Sequence, residues 1–321
     1  MKTSPLVTFV IFAYNQEKFI HDSIQGALRQ TYSPLEIIIS DDASTDSTFS
    51  IIKHEVAAYR GKHHVRVNRN KKNLGLIAHV NKLFNISTGD LIIASAGDDI
   101  SFPNRTSEIV KNFISFGKPL LIHSKAYEID KHGSRLGTEA PNVKLRRQLS
   151  LAEACTSDSI YLGASAAWSK ELFEKYGNID YKMAYEDLVL GFRAIVEDSI
   201  HYIDKPLLAY RVGGGLCPEI GKSIRISEVL KVRKNMAEVM VDTLSQREKD
   251  IRLSNLSKKK KYLNINKKEL FKWSILLNLY RGEASLSSLS LENFLLVIDL
   301  ILHELMFFGR WYLLYFSRYF F

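Results

Sequence analysis

The sequence predicts an α/β domain, a mostly parallel sheet flanked by helices, followed by a helical extension at its carboxyl end. Three observations carry this expectation. From Leu6 to about Tyr127, short runs rich in Val, Ile and Phe alternate with amphipathic stretches, the pattern of repeated strand–helix–strand units. Acidic pairs follow two of those runs directly, at Asp41-Asp42 and just beyond Ser95 at Asp98-Asp99. The last third is basic and patterned as helix.

The elements follow in order. Leu6–Phe12, Leu35–Ser40, His64–Arg69 and Leu91–Ser95 read as buried strands, apolar on both faces as a covered parallel sheet requires. Between them, Phe19–Arg29 places Phe19, Ile20, Ser23, Ile24, Ala27 and Leu28 on one helical face. Asp46–Tyr59 does so with Phe49, Ile52 and Val56, with Ser44 or Thr45 as the cap. Leu76–Ile86 is a third helix and Asn104–Phe116 a fourth, entered through Pro103. After Leu120–Glu128, the stretch Asp130–Leu149 holds Gly133, Gly137, Pro141, Arg146 and Arg147 and reads as a loop or lid. Leu162–Trp168 is small and apolar; helices over Lys170–Tyr176 and Tyr185–Val196 and strands over His201–Asp204 and Leu207–Arg211 complete the domain. The run Gly213-Gly214-Gly215 marks its edge, so a catalytic domain over 1–218 and a helix-rich region over 219–321 are expected. That region opens with a helix over Ile224–Gln246.

The 321 residues, 44 of them Lys or Arg against 35 Asp or Glu, suffice for a large domain and an appendage. The charge is uneven: residues 222–321 hold 18 basic and 10 acidic side chains, and the preceding part 26 and 25. The basic character therefore belongs to the last third. The apolar stretch Leu6–Phe12 is too short for a secretion signal, which points to a cytoplasmic protein. Cys155 and Cys217 form neither a disulfide framework nor a metal-ligand spacing.

In open α/β sheets ligands sit beyond the carboxyl ends of strands, where Asp41-Asp42 and Asp98-Asp99 fall; Glu186-Asp187 opens a later helix. Any one pair is accounted for by a turn or a helix start, and three converging pairs are not. Adjacent carboxylates repel unless a cation lies between them, and Mg²⁺ or Mn²⁺ with oxygen ligands answers that need while leaving coordination for phosphate. Around the pairs stand Thr8 to Asn15, Ser23-Ile24, Gln30-Thr31-Tyr32, Glu36 to Asp46, Asn73-Leu74-Gly75 with Asn81, Thr88-Gly89-Asp90, and Ala96-Gly97-Asp98-Asp99. In order and spacing these signatures resemble glycosyltransferase family 2, inverting enzymes of the GT-A fold that move a sugar from a nucleotide diphosphate to a hydroxyl. The resemblance covers about residues 5 to 212.

The resemblance implies roles by position. Phe12, Tyr14 and Asn15 would lie against the nucleotide base, and Asp42, with Asp41 beside it, would accept a hydrogen bond from that base. Asn73 and Gly75 resemble the donor-side loop, where glycine permits close backbone approach; Asn81 fits a structural part, and Asp46 a helix cap. Asp99 would hold Mn²⁺ or Mg²⁺, with Asp98 nearer the ribose and sharing the metal. Many relatives carry a further Asp where this chain has Ala96. Asp187, with Glu186 in reserve, would be the general base that takes the acceptor's proton; the helix N-terminus is expected to hold its pKa down. Arg211 and Gly213–Gly215 would stand near the diphosphate.

Other classes fit less well. A dinucleotide oxidoreductase requires a glycine-rich turn where Ala13-Tyr14-Asn15-Gln16 stands, and the Gly-Lys-Ser/Thr loop of P-loop kinases is missing. A metal-dependent sugar nucleotidyltransferase shares the aspartates, and a non-catalytic nucleotide-sugar-binding module needs no base. No nucleic-acid reading motif accompanies the basic tail. Asp299, His303 and Glu304 interrupt the apolar run from Phe294 to Phe308, so no membrane span is expected there. Lys258–Lys261 and the aromatic end Trp311–Phe321 suit peripheral contact with an anionic membrane. The expected partners are a nucleotide-diphosphate sugar, UDP-linked in preference to thymidine-linked, and a glycan or lipid-linked acceptor.

Overall fold

The computed structural model describes residues 4–140, 148–212 and 226–283. Four parallel strands, β1 (Val7–Ala13), β2 (Leu35–Asp41), β3 (His64–Arg69) and β4 (Leu91–Ala96), lie in the order β3-β2-β1-β4. The helices between and after them are α1 (Ile20–Leu28), α2 (Thr48–Ala58), α3 (Leu76–Ile86) and α4 (Arg105–Ser115). Alternation along each strand divides the core. Val7, Phe9, Ile11, Ile37 and Ile39 face α1 and α4 through Ile20, Ile24, Ile109 and Phe113; Val10, Ile38 and Ile92 face α3 through Ile77, Val80 and Phe84. Parallel strands need such cover on both faces.

The sheet continues through β5 (Ile100–Ser101), β6 (Leu121–Ile129), β7 (Arg135–Ala140), β8 (Ala167–Ser169) and β9 (Ile200–Arg211). The whole order is β3-β2-β1-β4-β8-β6-β9-β5, with β7 on β6. Strand β8 is antiparallel to both β4 and β6, and β9 is parallel to β6. Short α5 (Leu151–Ala154), a 3-10 turn (Gly163–Ser165), α6 (Lys170–Tyr176) and α7 (Glu186–Val196) pack around this half.

At the amino ends of β1, β2 and β4, Glu36 is buried beneath the sheet. It accepts from Thr8 Oγ1 at 2.7 Å and from Thr88 Oγ1 and N at 2.9 and 3.1 Å, and it pairs with Arg66 at 2.8 Å. Burial alone raises its pKa, and these donors and the guanidinium more than offset it, so the net shift is downward. A Cβ on Gly89 would lie 2.5 Å from Thr8 N, so only glycine fits where the Thr88-Gly89-Asp90 signature crosses β1.

Three sequence expectations are corrected. The two strands expected at His201–Asp204 and Leu207–Arg211 are one strand, β9, which crosses exposed Asp204-Lys205 with a register shift against β6 at Ser124/Lys125. Part of the expected loop Asp130–Leu149 is strand β7, hairpinned to β6, while Pro141, Arg146 and Arg147 lie outside the described residues. The helix expected to end at Gln246 is α8 (Ile226–Leu253), followed by α9 (Lys259–Arg281). The glycine run Gly213–Gly215, the division at 218/219 and the aromatic tail also fall outside the described residues. On either side of that division the chain shares one core: Met240, Leu244, Ile251, Leu276 and Leu277 cluster with Leu188, Val189 and Phe192 of α7.

Beside that core Arg193 of α7 and Asp250 of α8 form a fully buried ion pair, Nε to Oδ2 2.8 Å. Asp250→Ala should leave an uncompensated buried guanidinium and cost about 3–5 kcal/mol. Chemical denaturation should show that loss in a single cooperative transition; α8 melting separately with α7 unaffected would contradict a shared core.

Candidate active site

Parallel register brings Ala13 beside Asp41 and Phe12 beside Ala96, so the loops after β1, β2 and β4 meet at one edge. Asn15, at φ 51°, locks two of them: its N–H donates to Ser44 Oγ at 2.9 Å and its Oδ1 accepts from Thr45 N at 2.9 Å. The expected cap of α2 at Ser44 or Thr45 is corrected: its N-cap is Ser47, without a side-chain cap bond, and Asp46 just before it accepts from Thr48 N at 3.0 Å through Oδ1 and from Glu17 N at 3.1 Å through Oδ2. Tyr14 projects from this platform, 46 % exposed.

Asp41 is wholly buried; it accepts from Ser44 N and pairs with Arg69 Nε at 3.2 Å. Asp42 Oδ1 accepts from Asn70 Nδ2 at 2.7 Å and Leu74 N at 2.9 Å, and Oδ2 accepts from Gly75 N at 3.1 Å. A carboxylate offers about four acceptor positions, so one remains on Oδ2. Asn73 Oδ1 also accepts from Gly75 N, at 2.8 Å, and Gly75 adopts φ 78° with open space around its Cα. The half-buried Phe12 ring meets His79 edge-on at 5.4 Å between centroids. His79 is hydrogen-bonded to Ser40 Oγ at 2.6 Å, and burial holds its pKa down despite nearby Asp42. Lys82 Nζ donates to Asn70 Oδ1 at 2.5 Å. His79, Lys82 and Asn70 escaped the sequence reading, although His79 and Lys82, three apart, share a face of α3.

Beyond β4, Gly97 makes the turn into Asp98 and Asp99; a Cβ there would lie 2.2 Å from Gln16 Oε1. Pairing of β5 with β9 brings Arg211 against both aspartates. Its backbone N–H donates to Asp99 Oδ1 at 2.8 Å, its Nε to Asp98 O at 2.8 Å and its Nη1 to Asp130 O at 2.9 Å. The buried guanidinium, 4.6 Å from the Phe19 ring centroid, thus braces the acidic turn. Asp99 Oδ2 is buried with no hydrogen-bond partner among the described residues. Burial and the neighbouring Asp98 charge push Asp99 up to about 8, and burial raises Asp98 as well.

Two adjacent carboxylates disfavoured as anions, one oxygen unpaired, are a donor set that fits a hard divalent cation. No group of three or more His, Cys, Asp or Glu suited to a metal occurs among the described residues, so phosphate and water oxygens would complete the coordination. Asp98 is the more open of the two, 7 % exposed against 1 % for Asp99.

Glu186 and Asp187 open α7, half-buried against the 3-10 turn. A Cβ on Gly163 would lie 3.2 Å from Glu186 Oε1 and 3.4 Å from Asp187 Cβ, so that glycine leaves room for the pair. Asp187 Oδ1 has no hydrogen-bond partner among the described residues. The expectation that the helix N-terminus would depress Asp187's pKa is corrected: burial prevails and raises it to about 6, with Leu188 N and Arg247 pulling against the rise. Burial and the Asp187 charge raise Glu186 to about 8. Environments that push two carboxyls apart in this way separate an acid from a base.

Two ties join the first half of the sheet to the segments around the Glu186-Asp187 turn. Asn81 on α3 accepts from Ile179 N at 3.0 Å and donates to Ile179 O at 2.8 Å. Arg105, fully buried on α4, donates to Ser101 Oγ, to Ala94 O at the end of β4 and to Ala164 O in the 3-10 turn, at 2.8, 2.8 and 2.9 Å.

The sequence profile of Glycosyl transferase family 2 matches residues 8–177. The chain belongs to glycosyltransferase family 2. It is 38 % identical over 110 residues to the putative glycosyltransferase EpsE of Bacillus subtilis, a match covering 34 % of this chain and 39 % of that protein. The chain spans less than two thirds of the length of the first curated relatives it matches. Among solved structures, Staphylococcus aureus TarS 1-349 in complex with UDP-GlcNAc superposes with a TM-score of 0.56 at 17 % identity, over 92 % of this chain and 79 % of that one. The mannosyltransferase PcManGT from Pyrobaculum calidifontis, in complex with GDP-Man and Mn²⁺, gives 0.56 at 16 % identity, over 95 % and 81 %. The fold of this family 2 chain is GT-A, with α8 and α9 as its helical extension.

Proposed function

We propose that this family 2 protein is an inverting glycosyltransferase that moves a sugar from a nucleotide diphosphate to a hydroxyl of a glycan or lipid-linked saccharide. The observation that carries this reading is Asp187: a carboxyl with a pKa near 6, one buried oxygen unpaired, at the start of a helix in a GT-A fold. A hydroxyl is a weak nucleophile, and a carboxylate of that basicity accepts its proton as the bond to the anomeric carbon forms. Glu186, with the higher pKa, stays protonated beside it. Attack from the face opposite the leaving nucleotide inverts the anomeric centre.

On the donor side, Phe12, Tyr14 and Asn15 shape a platform for the base, and the one acceptor position left on Asp42 suits the single imide N–H of uracil or thymine. Guanine would bring two donors side by side. Asp98 and Asp99 would hold Mn²⁺ or Mg²⁺, which supplies charge neutralisation for the departing diphosphate. Arg211 holds the Asp99 carboxylate through its backbone N–H and the Asp98 backbone carbonyl through Nε. The neighbours bound to UDP-GlcNAc and to GDP-Man with Mn²⁺ support a nucleotide-sugar donor and a metal.

We assign the setting as bacterial surface-polysaccharide synthesis at the inner face of the cytoplasmic membrane, by peripheral contact. No helix among the described residues is long and apolar enough to cross a membrane. The first half of α9 supports surface contact: Lys258, Lys260 and Lys261 at its amino end are exposed, as are Lys267, Lys268 and Phe271 farther along it. Positive charge at a helix N-terminus opposes the helix dipole, an unfavourable arrangement that anionic headgroups would relieve.

Four outcomes are expected. Calorimetry should show UDP binding with Mn²⁺ and a loss of about tenfold or more after chelation, the worth of one charge-assisted contact; equal affinity removes the metal. Across a panel of UDP- and GDP-sugars, Asp187→Asn should lower turnover by about 10²–10⁴ while donor binding persists. Wild-type turnover should fall as pH drops below about 6, where Asp187 takes up a proton. Retained turnover in Asp187→Asn with loss in Glu186→Gln passes the role to Glu186, and release of pyrophosphate identifies a nucleotidyltransferase instead. Full-length protein should float with phosphatidylglycerol vesicles, less so as salt screens over about 10 Å, and the Lys260, Lys261, Lys267 and Lys268→Glu variant should not. A protein that never floats ends the membrane assignment and leaves sugar transfer standing.

A further inference from the structure

The turn that carries Glu186 and Asp187 is held from outside the family-matched stretch, which ends at residue 177. One face of α8 grips the whole connection from α6 into α7. Asp242 Oδ2 accepts from Met183 N at 2.9 Å, Gln246 Oε1 accepts from Asp180 N at 2.8 Å, and Lys249 pairs with Asp180. Asp250 holds Arg193, which in turn donates to Gly177 O at 2.9 Å and Asn178 O at 3.3 Å. Between them Arg247, fully buried, donates from Nη2 to Leu188 O at 3.2 Å and from Nη1 to Ser157 O at 2.9 Å. One guanidinium thus spans the first turn of α7 and the segment that leads to the 3-10 turn.

We propose that α8 is part of the catalytic apparatus, with Arg247 as a positioning residue that fixes the turn carrying Asp187 and sets the charge facing it, assisted by Asp242 and Gln246. This rests on the assignment of Asp187 as base. A buried arginine is a costly choice for packing alone, and a hydrophobic side chain would fill the same space. Its fork satisfies two backbone carbonyls from separate segments, one of them next to Asp187 in sequence, a geometry lysine cannot reproduce. Three titratable groups face Asp187: Glu186 on the same turn, the Tyr161 hydroxyl from the segment before the 3-10 turn, and Arg247 on α8. Arg247 itself faces Cys155, Asp158 and Asp250. Of these groups only Arg247 brings positive charge to Asp187, so its removal should favour the protonated carboxyl.

The test uses full-length protein and the sugar nucleotide that wild type cleaves fastest among UDP-GlcNAc, UDP-glucose and GDP-mannose. In Arg247→Gln the acidic limb of the kcat profile should move to higher pH by about half a unit or more, with KM for the sugar nucleotide within about twofold. Arg247→Lys should keep the limb in place and lose kcat on the order of tenfold, since small misplacement of a reacting group is expensive. Thermal unfolding supplies a readout free of turnover: the Tm losses of Arg247→Gln and Asp187→Asn should not add in the double variant. If Arg247→Gln fails to fold, Asp242→Ala, which removes only the acceptor for Met183 N, should lower kcat several-fold with KM unchanged; wild-type kcat there overturns the proposal. An unmoved limb with additive Tm losses overturns it too, while an inactive Asp187→Asn keeps the base assignment. Full turnover in Asp187→Asn defeats both.

Discussion

Carboxylates that share a protein interior raise its free energy unless donors or cations meet them, and three acidic pairs in this chain meet that requirement to different degrees. Asp41 and Asp42 are nearly saturated by backbone amides, Asn70 and Arg69, so the pair doubles as a structural clamp on the loops after β2 and β3. Asp98 and Asp99 are braced by Arg211 yet left one oxygen short. Glu186 and Asp187 also keep one oxygen unpaired, and an arginine reaches their turn through the Leu188 carbonyl. Compensation is thus nearly complete in the first pair and one oxygen short in each of the other two.

What permits the incompleteness is a set of buried arginines. Arg105, Arg193, Arg211 and Arg247 each lie buried and donate to backbone carbonyls. Carbonyls at strand ends and irregular turns have no ladder partner, and a planar fork with five donors can satisfy several of them at once. Arg105 serves the end of β4 and the 3-10 turn together, which fixes the wall beside Glu186 relative to the strand that delivers Asp98. Each guanidinium also pays a desolvation cost, visible where burial lowers Arg105 and Arg247 to about 10.

The parts of the fold legible in sequence are those where local pattern and tertiary demand agree. Helices α3 and α6 fall where their apolar periods place them, because each buries one continuous face; β3 keeps its expected bounds but not its expected burial, since as the edge strand of the sheet it has no fully buried residue. Strand β9 was divided because Asp204-Lys205-Pro206 reads as a breaker, yet the irregular register with β6 carries the backbone through. Strand β7 was hidden for the opposite reason: an edge strand paired on one side only carries Arg135, Thr138 and Glu139 in place of an apolar run. The acidic pairs were visible as pairs at strand and helix ends. Their pKa order was not, because burial at the start of α7 outweighs the helix dipole and the opposing positive charge comes from Arg247, in a distant segment.

That distance in sequence separates two groups of contacts. The loops after β1, β2 and β3 are tied to one another from within the first part of the chain by Asn15, Asp42 and Asp46. The segment before α7 is held by α8, from much later in the chain. A nucleotide diphosphate is nearly the same object for every sugar attached to it, and a self-contained cradle suits it. Acceptors differ in shape and in their distance from a surface, so the turn that meets them benefits from support that can change without disturbing the cradle. Asn81 and Arg105 keep the two groups in register, so under the proposed function the base would stay aligned with the donor while the extension varies.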